Sequence, residues 1–500
     1  MVSTAYQSLS ESPLWRMQRE YFEAAGARAW IDNIVPSYIT TNACIAARYA
    51  SVALARMQDC FGGDRQAKTF QIVELGAGSG RFAYGFLRHF LPHCARDFPH
   101  VRVRYVLTDA SASVLAGCRT HPGFQEFTRE GVLTFAVFDP LASEAAPSFE
   151  IGADSCFVIA NYVFDGLPFD VFEVRDGEPR RMLARVVDEA KSPSPPLATV
   201  RLEYTAGQSG PQYPGVVWNS TLEHCAAQIR SGYLSLPVGA LRCIDNLRRW
   251  CEDRLMLLVA DKGPVEFSAS VGATADAEPP QPKFHGSVSF DVDFRLLLDS
   301  LRRAGGRVYA SGPDSHLVIA ACEFSPAARA RGEVTDTYEN IAASRSFVFE
   351  IFRGSIMHDG PQKFFQLKRR FEERRPVLDA DGLREWLRAA CGDPVALNLA
   401  YSDALLANLA REISEQNTQE STEARRQSLR DTLLSVEALF FPLGGDAEED
   451  TFFSLGNLFG VLGFYADAAR CFESSLAVYG EDRNTAANLA ECHRRLASVP

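Results

Sequence analysis

The sequence predicts an α/β fold: a doubly wound parallel sheet with a β-hairpin insert, followed by an all-α C-terminal domain. Three observations predict it. Phe70 to Leu75 is a short apolar run that reads as a buried strand; Gly76, Gly78 and Gly80 follow at once, and Phe82, Phe86 and Phe90 then recur at helical spacing. Strand-like and helix-like segments alternate from residue 66 to about 325. From about 336 to the end no strand pattern recurs.

Residues 1–65 read as an N-terminal helical segment. Trp15 to Trp30 and Asn42 to Phe61 carry apolar residues at mixed three and four spacing, and Pro36 to Asn42 between them reads as a polar loop able to lie over a ligand. Residues 66–335 form the sheet domain, with strands at Ile72 to Leu75, Val101 to Thr108, Leu133 to Phe138 and Cys156 to Ala160. The rhythm then changes. Val171 to Arg175, a turn at Asp176-Gly177 and Arg180 to Val187 predict a hairpin within an insert of about 170–235, and Thr199 to Tyr204 is a further strand. Lys191 to Pro196 reads as a linker. A helix over Ala240 to Asp253, a strand over Leu255 to Ala260, a Gly- and Pro-rich loop over 262–283, a helix over Asp291 to Ala304 ended by Gly305-Gly306, and a strand over His316 to Cys322 complete the domain.

The loop chemistry narrows the ligand. Glycines let a loop turn tightly and let a ligand approach its backbone, while the following helix N-terminus presents free N–H groups to an anion. The spacing G-x-G-x-G differs from the dinucleotide G-x-G-x-x-G, and no Gly-Lys-Ser/Thr follows for a triphosphate. Glu74 stands two residues before the first glycine. Acids also close the next two strands, Asp109 and Asp139, and a carboxylate can accept from both hydroxyls of a diol.

Bulk composition sets outer bounds. Five hundred residues suggest two to four domains, and 46% apolar content can build sizeable cores. A net charge of −12 argues against a general nucleic-acid or membrane surface. The 12 cysteines are scattered without a C-x-x-C pair, as expected of reduced, mostly buried thiols in a cytoplasmic protein, and no metal site is expected. The N-terminus lacks the marks of a targeting leader, and no stretch of about 18 apolar residues is present.

These pieces resemble a known family. Glu74, Gly76, Gly78 and Gly80 resemble motif I of the class I S-adenosylmethionine (SAM) methyltransferases, and Val158 to Asp170 resembles the N-E-x-F-D-A-L-P segment of the MidA-type members, the family of a mitochondrial complex I assembly arginine methyltransferase. Tyr38-Ile-Thr-Thr, Asp109 to Leu115, Leu255 to Gly263 and Val288 to Phe294 resemble four further family segments in order, so the likeness covers roughly residues 30–325. It implies a Rossmann-like class I sheet, SAM as cofactor and a protein substrate. It also implies a cofactor site at Glu74, Gly76, Gly78, Gly80, Asp109, Asp139 and Thr40. Asn161 is expected to orient the acceptor, with Asp165 or Tyr162 polarising it. The competing readings are an N-cap for Asp165 and a packing aromatic for Tyr162.

The sequence also departs from the family. Tyr162 replaces the glutamate after the family asparagine, Asp291 replaces a histidine, and Thr41-Asn42 stands where the family has a small residue, proline and glutamate. A guanidinium needs acidic partners for its fork of donors, so losing acids at 162 and 42 weighs against arginine as the acceptor without touching the SAM loop.

Residues 336–500 are expected to form a helical domain. Phe452, Leu455, Gly456, Phe459, Ala468, Phe472 and Ser475 fall at tetratricopeptide-repeat (TPR) spacing, and Ala486, Leu489 and Ala490 recur one 34-residue period later. One pair cannot bury its own face, so residues 392–445 must supply further helices. The expected function is a SAM-dependent methyltransferase whose protein or peptide substrate docks partly on this TPR-like tail, with homo-oligomerisation through the tail as a further expectation. The alternatives are a non-catalytic SAM-binding adaptor and a small-molecule methyltransferase.

Overall fold

The computed structural model describes residues 5–141, 147, 149, 154–188, 197–209, 212–229, 231–267, 278–284, 287–312, 317–325, 346–358, 361–415, 419–445 and 448–498. The expected linker at Lys191 to Pro196, residues 268–277 of the Gly- and Pro-rich loop, His316 and the boundary at 335/336 lie outside the described residues. The chain divides into two compact units, one of Met1–Thr40, Ser51–Gly80 and His93–His358, the other of Thr41–Ala50, Arg81–Pro92 and Asp359–Pro500.

The N-terminal segment supplies β1 (Gln7–Ser8), α1 (Leu14–Ala25), α2 (Arg28–Ile31), α3 (Tyr38–Thr41) and α4 (Ala43–Phe61). The helical spacing over Trp15 to Trp30 is interrupted by Gly26, which takes φ +54 and donates its N–H to Phe22 O, so α1 ends and α2 restarts the direction. The segment read as a polar loop, Pro36 to Asn42, contains the helical turn α3 instead.

The sheet elements follow as β2 (Lys68–Leu75), α5 (Arg81–Asp97), β3 (Val101–Asp109), α6 (Ala112–Thr120), α7 (Gln125–Arg129), β4 (Leu133–Val137) and β5 (Ser155–Asn161). The insert contributes β6 (Asp170–Arg175), β7 (Glu178–Asp188), β8 (Val200–Ser209), α8 (Val216–Ala227) and β9 (Ser231–Leu236). After it come α9 (Val238–Trp250), β10 (Leu255–Asp261), the pair β11 (Lys283–Phe284) and β12 (Val288–Ser289), α10 (Phe294–Arg303), β13 (Arg307–Ala310), β14 (Val318–Glu323) and α11 (Phe347–Phe352).

The main sheet has seven strands in the order β13-β14-β10-β5-β2-β3-β4. The β10-β5-β2-β3-β4 run is parallel, and β14 is antiparallel to both β10 and β13. Every residue of β10 is buried, as are six of seven in β5, which is why these strands read as unbroken apolar runs rather than alternating ones. The strand order reverses between β2 and β5, and in such sheets the crevice beyond the carboxyl ends at that point receives ligand. The fold is the doubly wound α/β class that the alternation predicts. β13 escapes the sequence pattern because four residues directly after a glycine pair carry too short a period to read.

The insert holds more than a hairpin. Its strands build a second sheet in the order β1-β7-β6-β9, with β8 paired to β7. The hairpin turn itself forms as read, with Asp176 at φ +50 and Gly177 at φ +80, the geometry that matches the twist of paired strands. β1 comes from the N-terminal segment, where two residues give no period. Asp170, 1% exposed, ties it down by accepting from Ser10 N (3.0 Å) and from Tyr213 Oη (2.7 Å).

The second unit is helical: α12 (Pro361–Arg374), α13 (Ala380–Ala389), α14 (Pro394–Ala400), α15 (Asp403–Glu415), α16 (Gln419–Leu439), α17 (Thr451–Val461), α18 (Tyr465–Tyr479) and α19 (Arg483–Ala497), with the first turns of α4 and α5 included. The segment between 392 and 445 does pack on α17 and α18: Asn398 donates to Thr451 Oγ1 (2.9 Å), Asn457 to Tyr401 Oη (2.8 Å), and Arg430 pairs with Asp467 (2.6 Å). Within this unit Arg81 pairs with Glu448, and Tyr84 Oη donates to Ala438 O (2.9 Å), so the start of α5 is anchored to the C-terminal helices.

The small residues that set the repeat spacing have a steric reason. A Cβ at Gly456 would lie 2.6 Å from the Phe472 ring, whereas Gly460 one turn later faces open space. Gly456→Val should therefore lower the stability of the helical unit by about 1–3 kcal/mol through overpacking. Gly460→Ala should be neutral or raise stability by up to about 1 kcal/mol through helix propensity. Urea unfolding followed by helical circular dichroism checks both.

Candidate active site

The glycine loop is closed in on three sides. Gly76, Gly78 and Gly80 take φ of +71, +52 and +80, a conformation that β-carbons oppose. A Cβ on Gly76 would lie 2.9 Å from Val163, on Gly78 3.3 Å from the Trp30 indole, and on Gly80 2.8 Å from Phe124. Trp30 is held there by a stacked Phe22, 5.5 Å between centroids. The N-terminal segment thus lies on the loop, and α1 is fixed to α6 where the Ser113 hydroxyl donates to Glu23 O (2.7 Å).

Two acids flank the loop. Glu74, 4% exposed near the end of β2, accepts from the Tyr105 hydroxyl on β3. Burial pushes its carboxyl up to about 8; the Tyr105 hydrogen bond opposes the rise and Asp109 adds to it. Asp109 ends β3, half-buried, and accepts from Ser111 N (2.9 Å), while Ala77 N of the loop donates to the neighbouring Thr108 O (2.8 Å). Burial lifts Asp109 to about 6, opposed by the nearby backbone N–H groups of Ser111, Gly78 and Ala77.

Val163, the residue on Gly76, belongs to the acceptor segment. Asn161 ends β5 and stands in register with Ala260 of β10. Tyr162 takes φ +51, unusual for a bulky residue, and is fixed by its N–H donating to Ala260 O (2.8 Å). Its hydroxyl is buried without a hydrogen-bond partner, and the Lys262 ammonium lies 5.5 Å over its ring. Burial, then Asp261 and Asp165, push its phenol up. Asp165 sits half-buried in the 3-10 turn Phe164–Gly166. Burial raises its carboxyl to about 7, opposed by Lys262 and the Gly166 N–H and aided by Asp291.

The N-cap role weighed for Asp165 goes to another residue. Asp261, wholly buried at the end of β10, takes the turn's N–H groups: Phe164 N donates to its Oδ2 at 3.1 Å. Its Oδ1 has no partner, and burial plus Asp165 push it well up. Neighbouring backbone locks this corner. Val292 N donates to Lys262 O (2.8 Å), Phe290 N to Asp165 O (3.0 Å), and a Cβ on Gly263 would strike Val292 O at 1.8 Å.

The remaining expected positions are occupied locally. Thr40 is buried and its hydroxyl donates to Ser37 O within α3 (3.1 Å). Asp139 pairs with Arg19 of α1 (3.2 Å) and accepts from Leu141 N. Asn42 caps α4, accepting from Ile45 N at 3.0 Å, which is why an uncharged polar residue suits that position. Asp291, in place of a histidine, is paired with Lys283 (2.6 Å). Among the described residues no group of three or more His, Cys, Asp or Glu side chains could hold a metal ion, and no helix is long and apolar enough to cross a membrane. Sequence reasoning did not find Trp30, Tyr105, Asp261 or Lys262 as site residues. The segment Leu255 to Gly263 had marked the last two as motif positions without a role.

Glu74 gives a pH signature. Its folded value lies above the ordinary glutamate value of about 4.3, so between there and about 8 the folded state holds a proton that the unfolded chain releases. Its contribution is complete below that window and is lost as pH rises through it. Glu74→Gln should make the fall of stability between about pH 5 and pH 8 shallower, on the order of 2–4 kcal/mol, in denaturant titrations across pH.

Comparison with known proteins bears on the loop and sheet together. Residues 50–233 match the family model described as "Putative S-adenosyl-L-methionine-dependent methyltransferase". No curated protein matches the chain. Among solved structures, an uncharacterised superfamily protein from Burkholderia thailandensis is similar at 13% identity and TM-score 0.40, covering 64% of this chain and 87% of its own. A superfamily member from the same organism bound to S-adenosyl-homocysteine is similar at 14% identity and TM-score 0.37, covering 69% and 88%. A DhpI complex with the same ligand shows 13% identity and TM-score 0.27, covering 63% and 98%. Scores this low do not by themselves specify a shared fold. The sheet order, the glycine loop with its two flanking acids and the matched family model over residues 50–233 agree on a SAM-dependent methyltransferase.

Proposed function

We propose that this methyltransferase acts on a side chain of a protein or peptide, with Asp165 taking the proton of the acceptor. The observation that carries the reading is the carboxyl of Asp165, pushed to about 7 at the carboxyl end of β5 beside the glycine loop. A base is most effective with a pKa near working pH.

The residues fit the cofactor. Gly76, Gly78 and Gly80 leave the loop backbone bare for close approach by a ligand, and α5 follows Gly80 without a side-chain cap. Glu74 would take the methionine ammonium, a cation that offsets the cost of ionising a buried carboxyl. Asp109 would take the ribose hydroxyls, Asp139 the adenine amino group, and Thr40 would line the approach. Bound there, SAM supplies an electrophilic methyl group. The chain's own task is to hold a nucleophile in line and remove its proton. Asn161 would orient the acceptor by its amide, Tyr162 would wall the site, and Asp261 would hold the turn that carries Asp165.

The protein or peptide class rests on the helical unit, whose last helix pairs have the spacing of repeats that bind extended segments. Truncation is a poor test of docking. Removing residues 359–500 would take away Glu448 and the Ala438 carbonyl, which seat Arg81 and Tyr84 at the start of α5. Exposed substitutions on α19 are the better probe.

Two measurements decide. Mass spectrometry of a proteolysed lysate incubated with methyl-labelled SAM should find methylated peptides; label confined to small molecules would overturn the protein or peptide reading. With any accepted substrate, turnover should rise about tenfold per pH unit below about 7 and level off above it. Asp165→Asn should cut turnover by about 10²–10⁴-fold and abolish that rise while SAM still binds. An unchanged rate would remove Asp165 from the chemistry.

A further inference from the structure

We propose that Cys44 and Cys391 form an oxidation site in the second unit, which a hydroperoxide converts to a disulfide. Cys44 lies buried in the first turn of α4, and its thiol donates to Ala389 O (3.9 Å), two residues before Cys391. Cys391 is half-buried in the turn after α13 and takes φ +54, followed by Gly392 at φ +75. A cysteine in the left-handed region is uncommon and points to a constrained turn.

The two sulfurs are brought together by a clamp that does not involve them. Asp393 Oδ2 accepts from Ala43 N (2.8 Å), and its Oδ1 accepts from Val395 N (3.0 Å) to cap α14. One buried carboxylate therefore joins the N-terminus of α4 to the 391–393 turn. Two features favour Cys391 as the attacking thiolate. The neighbouring Cys44 and Arg48 favour its anion and hold it below the ordinary thiol range, while burial and Asp393 oppose. It is also the more accessible of the two. A second neighbouring pair, Cys156 and Cys251, has both residues buried, out of reach of a peroxide in solution.

The chemistry balances without a metal or further reductant. The Cys391 thiolate attacks one peroxide oxygen, the O–O bond breaks, and the departing oxygen takes a proton. This leaves a sulfenic acid on Cys391 and water or an alcohol from the peroxide. Cys44 then gives up its proton and attacks the Cys391 sulfur. The S–S bond forms as S–O breaks, and the hydroxide leaves with that proton as water. Two thiols are oxidised by two electrons in all, and one peroxide is reduced.

The test uses the full reduced chain and stoichiometric hydrogen peroxide, with thiols then blocked and peptides mapped without reductant. The expected first product is one peptide linking Cys44 to Cys391, with two of the 12 thiols lost and both restored by dithiothreitol. Cys44→Ser should instead leave a sulfenic acid on Cys391 that dimedone captures. Cys391→Gly, which suits the left-handed turn and so keeps the fold, should leave Cys44 reduced. The proposal is overturned if the exposed Cys60 or the Cys156–Cys251 pair oxidises first with no Cys44–Cys391 link. It is equally overturned if dimedone finds nothing on Cys391 in Cys44→Ser.

Discussion

The first unit is organised around a short backbone loop that has no room for side chains. Gly76, Gly78 and Gly80 are pressed by Val163, Trp30 and Phe124, from the acceptor segment, the N-terminal segment and the α6–α7 connection respectively. Each contact fixes a different element against one turn of chain. Val163 matters most, because it follows Tyr162 and precedes the turn that carries Asp165. The loop and the acceptor edge are thus set in register by van der Waals contact, and methyl transfer depends on such alignment more than on any single catalytic group.

Burial then sets the chemistry. Glu74, Asp109, Asp165 and Asp261 stand at or near the carboxyl ends of β2, β3, β5 and β10, and all four are raised by loss of water. Such acids destabilise the empty protein at neutral pH, and a structural role alone would be served better by amides. On the proposed function, a cation would offset the cost at Glu74 and a proton would be received near pH 7 at Asp165. Lys262 is the counterweight on the acceptor side, opposing the rise at Asp165 while lying over the Tyr162 ring.

Much of this was legible in the sequence because it is periodic or compositional. Unbroken apolar runs marked β2, β5 and β10, and the G-x-G-x-G spacing with Glu74 marked the loop. What escaped has no period. β1 is two residues long and β9 gave no strand signal, so the second sheet read as a hairpin with one further strand, and the two-residue strands β11 and β12 were not read. Trp30 approaches Gly78 through tertiary packing alone, and nothing local distinguishes it from a core tryptophan. The cap weighed for Asp165 comes from Asp261, to which the sequence reading had given no role. The residue read as a possible cap carries the near-neutral carboxyl, while the cap comes from a strand nearly 100 positions away. Only the parallel register of β5 with β10 brings them together.

The central claim is that the loop with Glu74 is a SAM site, and titration calorimetry in buffers of different ionisation enthalpy tests it most directly. With SAM at pH 7, micromolar affinity, about −8 kcal/mol, is expected. Binding should release close to one proton as the ammonium ionises Glu74, and Glu74→Gln should bind more weakly and release none. Heat that is absent for both SAM and its demethylated product would contradict the account. Binding that releases the same protons in Glu74→Gln would contradict the role given to Glu74.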